Sequence, residues 1–229
     1  MERRAVLNPP IFDPREAPVL AVDRHLPAVH TAGLEPHALR ARFAAPPRWA
    51  PELREEAPMT DRAACPASVL VPLVMRDQLT VLLTQRTAHL PTHAGQIAFP
   101  GGKQDPQDLD PVHAALREAH EEVGLLQRHV EVLGTLPVYR TGTAFEVTPV
   151  VALVSPEAAW RPNPNEVSDV FEVPLAFLMN PAHHQRHGLE WQGRWRTWYA
   201  MPYDDAGRER WIWGATAGML RNLYRFLSA

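Results

Sequence analysis

Proline sets the first limits on this chain. There are 24 prolines in 229 residues, about twice the average usage of ~5 %. Each fixes φ and removes a backbone donor, so prolines stay out of helix interiors and central strands. Many fall early, in "NPPIFDPREAPVL" and "AAPPRWAPELREEAP". From Met1 to about Thr60 the sequence therefore reads as an extended arm, a short helix and a linker. The helical piece is "EPHALRARFAA" (Glu35–Ala45), with Leu39 and Phe43 four apart. The arm wraps the folded body, wraps a partner subunit or stays disordered; its composition leaves all three open.

The core begins near Ala64. "ASVLVPLV" (Ala67–Val74) and "LTVLLTQR" (Leu79–Arg86) are apolar and partly β-branched, and the "MRDQ" between them suits a hairpin turn. Pro111–Val123 reads as a helix, with Pro111 in the first turn, where a missing N–H costs nothing. Further strands are expected at His129–Pro137, Glu146–Val154 and Asp169–Val173, and a loop at Tyr203–Arg210. "ATAGMLRNLYRFLSA" closes the chain as an amphipathic helix. Strands mixed with two main helices predict an α/β or α+β fold. At 45 % hydrophobic residues, the chain has material for one domain with extensions.

Several functions are disfavoured at this level. A formal net charge of -3 does not suit a general grip on nucleic acid. The lone Cys65 excludes an internal disulfide framework and a cysteine-based zinc cluster. No apolar run reaches the ~20 residues of a membrane span, and the N-terminus lacks the apolar stretch of a secretory signal. The expectation is a soluble cytoplasmic protein that engages neither membrane nor nucleic acid. "HHQRH" (residues 183–187) is expected in a surface loop rather than at a metal, because proline and glycine interrupt its surroundings. The late tryptophans, Trp191, Trp195, Trp198, Trp211 and Trp213, either stack a base or alternate between core and strand face.

One short stretch stands apart. "REAHEEVGL" places Glu118, Glu121 and Glu122 within five residues. At 100° per residue they cover about a third of the helix circumference. Val112, Ala115, Leu116, Ala119 and Val123 form a separate apolar stripe. Glu118 and Glu122 repel at i,i+4 by roughly 0.2–0.5 kcal/mol, and they lie at the helix end where the dipole disfavours anions. A hard divalent cation, Mg²⁺ or Mn²⁺, would reverse that sign. Gly124 suits the helix end, "FPGG" offers a backbone that can approach a ligand, and Arg117 can hold one carboxylate.

"GGKQDPQDLDPVHAALREAHEEVGL" resembles the signature of the Nudix hydrolases. The helical half matches at every fixed position. Asp108 stands where the signature has its first glutamate, and the spacer to Arg117 is one residue longer. Upstream, "LLTQRTAHLPTHAGQIAFPGG" is similar to the extra signature of the coenzyme A diphosphatase branch, through Leu82, Leu83, Thr84, Arg86, Thr87, Gly95, Phe99, Pro100, Gly101 and Gly102. "NPNEVSDVFEVPL" and "IWGATA" add to the likeness. Pro91 takes the place of that branch's second arginine, which puts the substrate in doubt rather than the chemistry. The resemblance runs from about Leu39 to Leu223. It divides the chain into a proline-rich extension, residues 1–36, and a Nudix domain, residues 37–229.

The resemblance implies a Nudix-type α-β-α sandwich with a mixed β-sheet. It implies Mg²⁺ or Mn²⁺ held by Glu118 and Glu122, with Glu121 assisting and the Gly101 carbonyl adding a ligand. Arg117 would orient a glutamate. Glu166 is the candidate base, or a plain loop charge. Arg86 would face a substrate phosphate or brace its loop; Thr87, Gly95 and Phe99 would join it on the substrate side. Tyr139–Val147 would border the nucleotide or serve as a plain hairpin connection. The expected substrate is coenzyme A or a derivative. NADH, ADP-ribose and a non-catalytic nucleotide-binding role are the alternatives, and a homodimer is the family expectation.

Overall fold

The computed structural model describes residues 13–88, 95–191 and 193–229. Strand β1 (Val19–Val22) lies in the proline-rich arm and precedes helix α1 (Pro36–Ala44). Then come β2 (Cys65–Met75), β3 (Leu79–Arg86), β4 (Ile97–Ala98) and β5 (Gly101–Lys103), followed by helix α2 (Pro111–Val123). Strands β6 (Val130–Thr135), β7 (Tyr139–Arg140), β8 (Phe145–Val154) and β9 (Val167–Pro174) lead into the single-turn helix α3 (Leu175–Leu178). Three long strands, β10 (Gln185–Trp191), β11 (Arg194–Asp205) and β12 (Arg208–Trp213), precede the closing helix α4 (Gly214–Leu227).

The larger sheet is mixed. β2 and β8 run parallel at its centre, in register from Cys65↔Phe145 to Val74↔Val154. β3, β5, β6 and β7 add antiparallel to that pair, and β9 and β4 add to β3. Side-chain alternation sorts the central strands between two cores. Leu70, Val74, Leu82, Val150, Ala152 and Val154 meet Ala115, Ala119 and Val123 of α2. Val71, Leu73, Val81, Leu83, Val151 and Leu153 belong to the core that holds Leu220, Leu223 and Tyr224 of α4 and Leu39 of α1. The alanines let α2 lie close on its face. Each fully buried valine or leucine contributes about 1.5–3 kcal/mol. The result is an α-β-α sandwich around a mixed sheet. No helix among the described residues is long and apolar enough to cross a membrane.

The second sheet, ordered β1-β10-β11-β12, is antiparallel. It changes two expectations. Tyr203–Arg210 is mostly strand, with only the tight turn at Ala206–Gly207 between β11 and β12. "HHQRH" is not an exposed loop: His184 and His187 are buried. His184 sits between the Leu178 carbonyl (2.7 Å) and Arg221 (3.1 Å), and His187 bonds the Ala17 carbonyl at 2.9 Å. The described part of the arm wraps the folded body. Val19–Val22 pairs with β10, Leu34 enters the core, and Tyr224 donates its hydroxyl proton to the Pro27 carbonyl at 2.8 Å.

Candidate active site

The carboxylate helix is set at both ends. Asp110 accepts a hydrogen bond from the His113 N–H at 2.7 Å, which caps the start. Gly124, at φ 69°, closes the end in the left-handed conformation. On the shared face of the sheet, "FPGG" turns β5 against the helix. Gly101 N–H donates to Glu122 Oε2 at 3.1 Å. A Cβ on Gly101 would lie 2.6 Å from the Val69 Cα, and one on Gly102 would lie 2.6 Å from Glu118 Oε1. Gly101 is therefore demanded by close approach of backbone to backbone, whereas at Gly102 a side chain would have to push the Glu118 carboxylate aside.

Arg117 organises the exposed side of the cluster. Its Nε and Nη2 grip Asp108 Oδ1 and Oδ2 at 3.0 and 2.9 Å. Its Nη1 donates to Glu118 Oε1 at 3.0 Å and to Glu121 Oε2 at 3.1 Å. The bidentate pair forms with the shorter acid at 108 and the longer spacer. Arg117 holds the Asp108 carboxyl well below the usual carboxylate range, and Asp108 in turn raises the guanidinium. Glu121 is half exposed and faces Arg117.

Glu122 lies deeper. It is 3 % exposed, with Arg86 Nη1 3.6 Å from its Oε1. Burial pushes its pKa up to about 7; the Gly101 N–H and Arg86 oppose the rise, while Glu118 and Glu166 add to it. Burial also raises Glu118, against the pull of Arg117 and with a contribution from Glu121 and Glu166. Glu166 therefore lies near enough to both helix carboxylates to repel them. Its turn is fastened to the end of α2, where the Asn163 N–H donates to the Glu122 carbonyl at 2.8 Å. Asn163, which sequence reading passed over, also donates from Nδ2 to Glu166 Oε1 at 3.2 Å. Its one signal was an Asx residue three positions before the acid in "NPNEV".

The remaining candidates divide. Arg86 reaches Glu122, and among the described residues its buried Nε has no hydrogen-bond partner. Thr87 is buried, and it holds the Glu166 turn through its N–H to the Glu166 carbonyl (3.0 Å) and its hydroxyl to the Asn165 carbonyl (3.3 Å). Gly95, at φ 70°, is exposed, with its carbonyl bonded by Gln85 at 3.3 Å. Phe99 is 3 % exposed and packs in the core. Position 91 lies outside the described residues. The 139–147 stretch is a hairpin tied down by the linker, with Glu56 accepting from Tyr139 Oη at 3.2 Å and the Gly142 N–H at 2.9 Å. Among the late tryptophans, Trp198 packs against His187 and Trp213 within the second sheet, and Trp195 is exposed.

No three His, Cys, Asp or Glu side chains among the described residues form a ready-made metal cage. The donor chemistry nonetheless fits a hard divalent cation. Two carboxylates on one helix, Glu118 and Glu122, are both driven upward in pKa by burial, and each feels Glu166.

Residues 66–192 match the NUDIX domain. Two relatives bearing the name "Uncharacterized Nudix hydrolase NudL", from Salmonella paratyphi B and Salmonella newport, are 44 % identical over 161 residues, which is 69 % of this chain and 80 % of theirs. Among solved structures, a Caenorhabditis elegans Ap4A hydrolase binary complex aligns with a TM-score of 0.42 at 23 % identity, covering 52 % of this chain and 86 % of that one. The NUDIX domain of Shewanella oneidensis NrtR, complexed with ADP ribose, aligns with a TM-score of 0.39 at 28 % identity, covering 50 % and 75 %. The span of the domain match and the identity to the Salmonella proteins, on a chain that seats its Arg-Glu-Ala-His-Glu-Glu helix against Gly101 and Gly102, make this protein a member of the Nudix hydrolase family.

Proposed function

We propose that this chain hydrolyses the diphosphate bond of coenzyme A or one of its derivatives, giving 3′,5′-ADP and 4′-phosphopantetheine or its acyl form. One observation carries the reading. The segment resembling the coenzyme A diphosphatase signature flanks the carboxylates at both ends. Arg86 lies 3.6 Å from Glu122 at one end, and Gly101 bonds Glu122 at the other.

A bound Mg²⁺ or Mn²⁺ would neutralise phosphate oxygens and acidify a water molecule. Glu118 and Glu122 would hold it, with Glu121 assisting from the rim and the Gly101 carbonyl as a further ligand. Arg117, anchored on Asp108, keeps Glu118 aimed at the site. Glu166 takes the proton from the attacking water. Arg86 places positive charge beside the site, where a phosphate oxygen would gain from it.

The test is turnover of coenzyme A by purified protein with Mg²⁺ or Mn²⁺, with products read by mass and NADH and ADP-ribose run alongside. Preferential release of 4′-phosphopantetheine supports the reading. Inert coenzyme A beside a hydrolysed NADH or ADP-ribose would overturn it in favour of the same chemistry on another nucleoside diphosphate derivative, the reading Pro91 keeps open.

A further inference from the structure

We propose that Asn163 is a positioning residue that sets the carboxylate of Glu166 against the helix carrying Glu118 and Glu122. The inference rests on the assignment of Glu166 as base made above.

The last carbonyls of a helix have no partner within it. Near the end of α2 two of them are taken by the chain that returns from β8. Arg161 N–H donates to the Val123 carbonyl at 2.8 Å, and Asn163 N–H donates to the Glu122 carbonyl at 2.8 Å. Asn163 is thus docked on the main chain of Glu122 itself. Its own carbonyl accepts from Glu166 N–H at 3.0 Å and Val167 N–H at 2.8 Å, which closes the turn. Its side-chain Oδ1 accepts from Asn165 N–H at 3.1 Å. That contact fixes which way the amide points, because only an oxygen can accept there. The amide nitrogen is left facing Glu166, and Nδ2 donates to Glu166 Oε1 at 3.2 Å.

Electrostatics explains why Glu166 needs a tether. Glu118 and Glu122 lie within its field, and like charges drive a mobile carboxylate toward solvent. A hydrogen bond from a neutral amide holds Oε1 without adding charge, and it leaves Oε2 able to accept a proton from water. The far side of the turn is fixed as well. Thr87 bonds the Glu166 and Asn165 carbonyls. Immediately after the turn, the β3–β9 register shifts between Gln85 and Arg86. Ser168, beside this bulge, donates its hydroxyl proton to the Gln85 carbonyl at 3.1 Å. Bulges of this kind re-aim side chains next to active sites. With the backbone so held, the Asn163 amide governs where the carboxylate group itself sits.

A double-mutant cycle tests the idea. Asn163→Asp is nearly isosteric and keeps the acceptor for Asn165 N–H, but it replaces the donor to Glu166 with a second carboxylate. Turnover with Mg²⁺ would be measured for wild type, Asn163→Asp, Glu166→Gln and the double variant, on whichever of coenzyme A, NADH or ADP-ribose the wild type hydrolyses. Asn163→Asp is expected to lower kcat roughly 10- to 100-fold, the range seen when a partner behind a reacting group is lost, with KM near wild type. In the Glu166→Gln background it is expected to add no further loss. Equal fold-losses in both backgrounds would show that Asn163 merely shapes the turn, and would overturn the inference while leaving the base in place. A Glu166→Gln variant as active as wild type, or a wild type that hydrolyses none of the three substrates, would overturn the base assignment or the proposed function first, and this inference with it. Should Asn163→Asp fail to fold, Asn163→Ser, whose hydroxyl can still accept from Asn165 N–H, is read by the same criteria.

Discussion

Around Arg221, on the α4 side of the large sheet, opposite charges meet; around Glu122, on the α2 side, carboxylates meet one another. Arg221 is 2 % exposed, with Asp23 Oδ2 3.0 Å and Glu52 Oε2 2.9 Å from its guanidinium. Tyr199 donates to both acids, and the Arg221 guanidinium lies over the Tyr199 and Tyr224 rings. Burial pushes Glu52 up, but the bonds from Arg221 and Tyr199 outweigh it and leave the group below its ordinary value. At Glu122 the balance runs the other way, and burial wins. A buried charge costs several kcal/mol unless it is paired and hydrogen-bonded. The first region meets that condition with residues of this chain. The second meets it incompletely, as a site built to receive a cation does.

The largest effect should come from removing charge at Glu122, where burial outweighs the pull of Arg86 and the Gly101 N–H. Glu122→Gln keeps the shape and an acceptor for Gly101 N–H. Turnover is expected to fall by orders of magnitude, while the thermal midpoint in EDTA at pH 8 stays at or above that of wild type. A variant with unchanged turnover would remove Glu122 from the metal site; one with a collapsed midpoint would make it a structural acid.

Arg221→Met is the converse experiment. It leaves Asp23 without its cation and Glu52 with only Arg225, 3.6 Å away, and breaking a buried pair in this way costs about 3–5 kcal/mol. Urea denaturation should show that loss, and the arm carrying Asp23 should become sensitive to protease. Any fall in turnover should track the unfolded fraction. A full-strength midpoint would mean that the arm is held by β1 pairing and the core contacts alone.

Gly102→Ala probes the carboxylate region more gently. The new Cβ would fall 2.6 Å from a Glu118 oxygen, and the carboxylate must swing away. Displacing a reacting group by about 1 Å can cost on the order of 100-fold in rate. Loss of kcat with little loss of stability is the expected pattern, read by steady-state kinetics beside a melt. Wild-type kcat would show that Glu118 tolerates the displacement.

The two regions also differ in how far their sequence announced them. The carboxylate helix is local: Asp110, Pro111 and Gly124 bound it, and its expected span, Pro111–Val123, is the observed one. The glutamate face and the two glycines are read from one contiguous stretch. The Arg221 region is assembled from five separate segments. Asp23 and Arg221 are about two hundred positions apart, and nothing near either one signals the other. The same distance hid β1, four residues between prolines whose partner is β10, and the burial of His184 and His187. Asn163 was overlooked for a related reason: its contacts follow from where the end of α2 meets the turn, which spacing alone does not show.

Protonation should separate the two regions with opposite signs, in the smallest effect foreseen here. Glu122 sits near 7, against an ordinary value of 4.5. Between those values the folded chain keeps a proton that the unfolded chain has lost, so stability falls as pH rises from about 4.5 through about 7. His184 behaves in reverse. Burial lowers it from 6.5 to about 4, with Arg221 and His183 adding to the fall and the Leu178 carbonyl and Asp23 opposing it. Here the unfolded chain takes up the proton first, so stability is lost as pH falls from about 6.5 through about 4. Melting curves in EDTA across that range, for wild type, Glu122→Gln and His184→Gln, should show the first variant flattening the alkaline decline and the second flattening the acid one. If Mg²⁺ restores the wild-type midpoint at pH 8 but leaves Glu122→Gln unmoved, the Glu122 charge on the α2 side is the one a cation completes. If both respond alike, the cation binds elsewhere, and the contrast between the two regions reduces to a difference in burial.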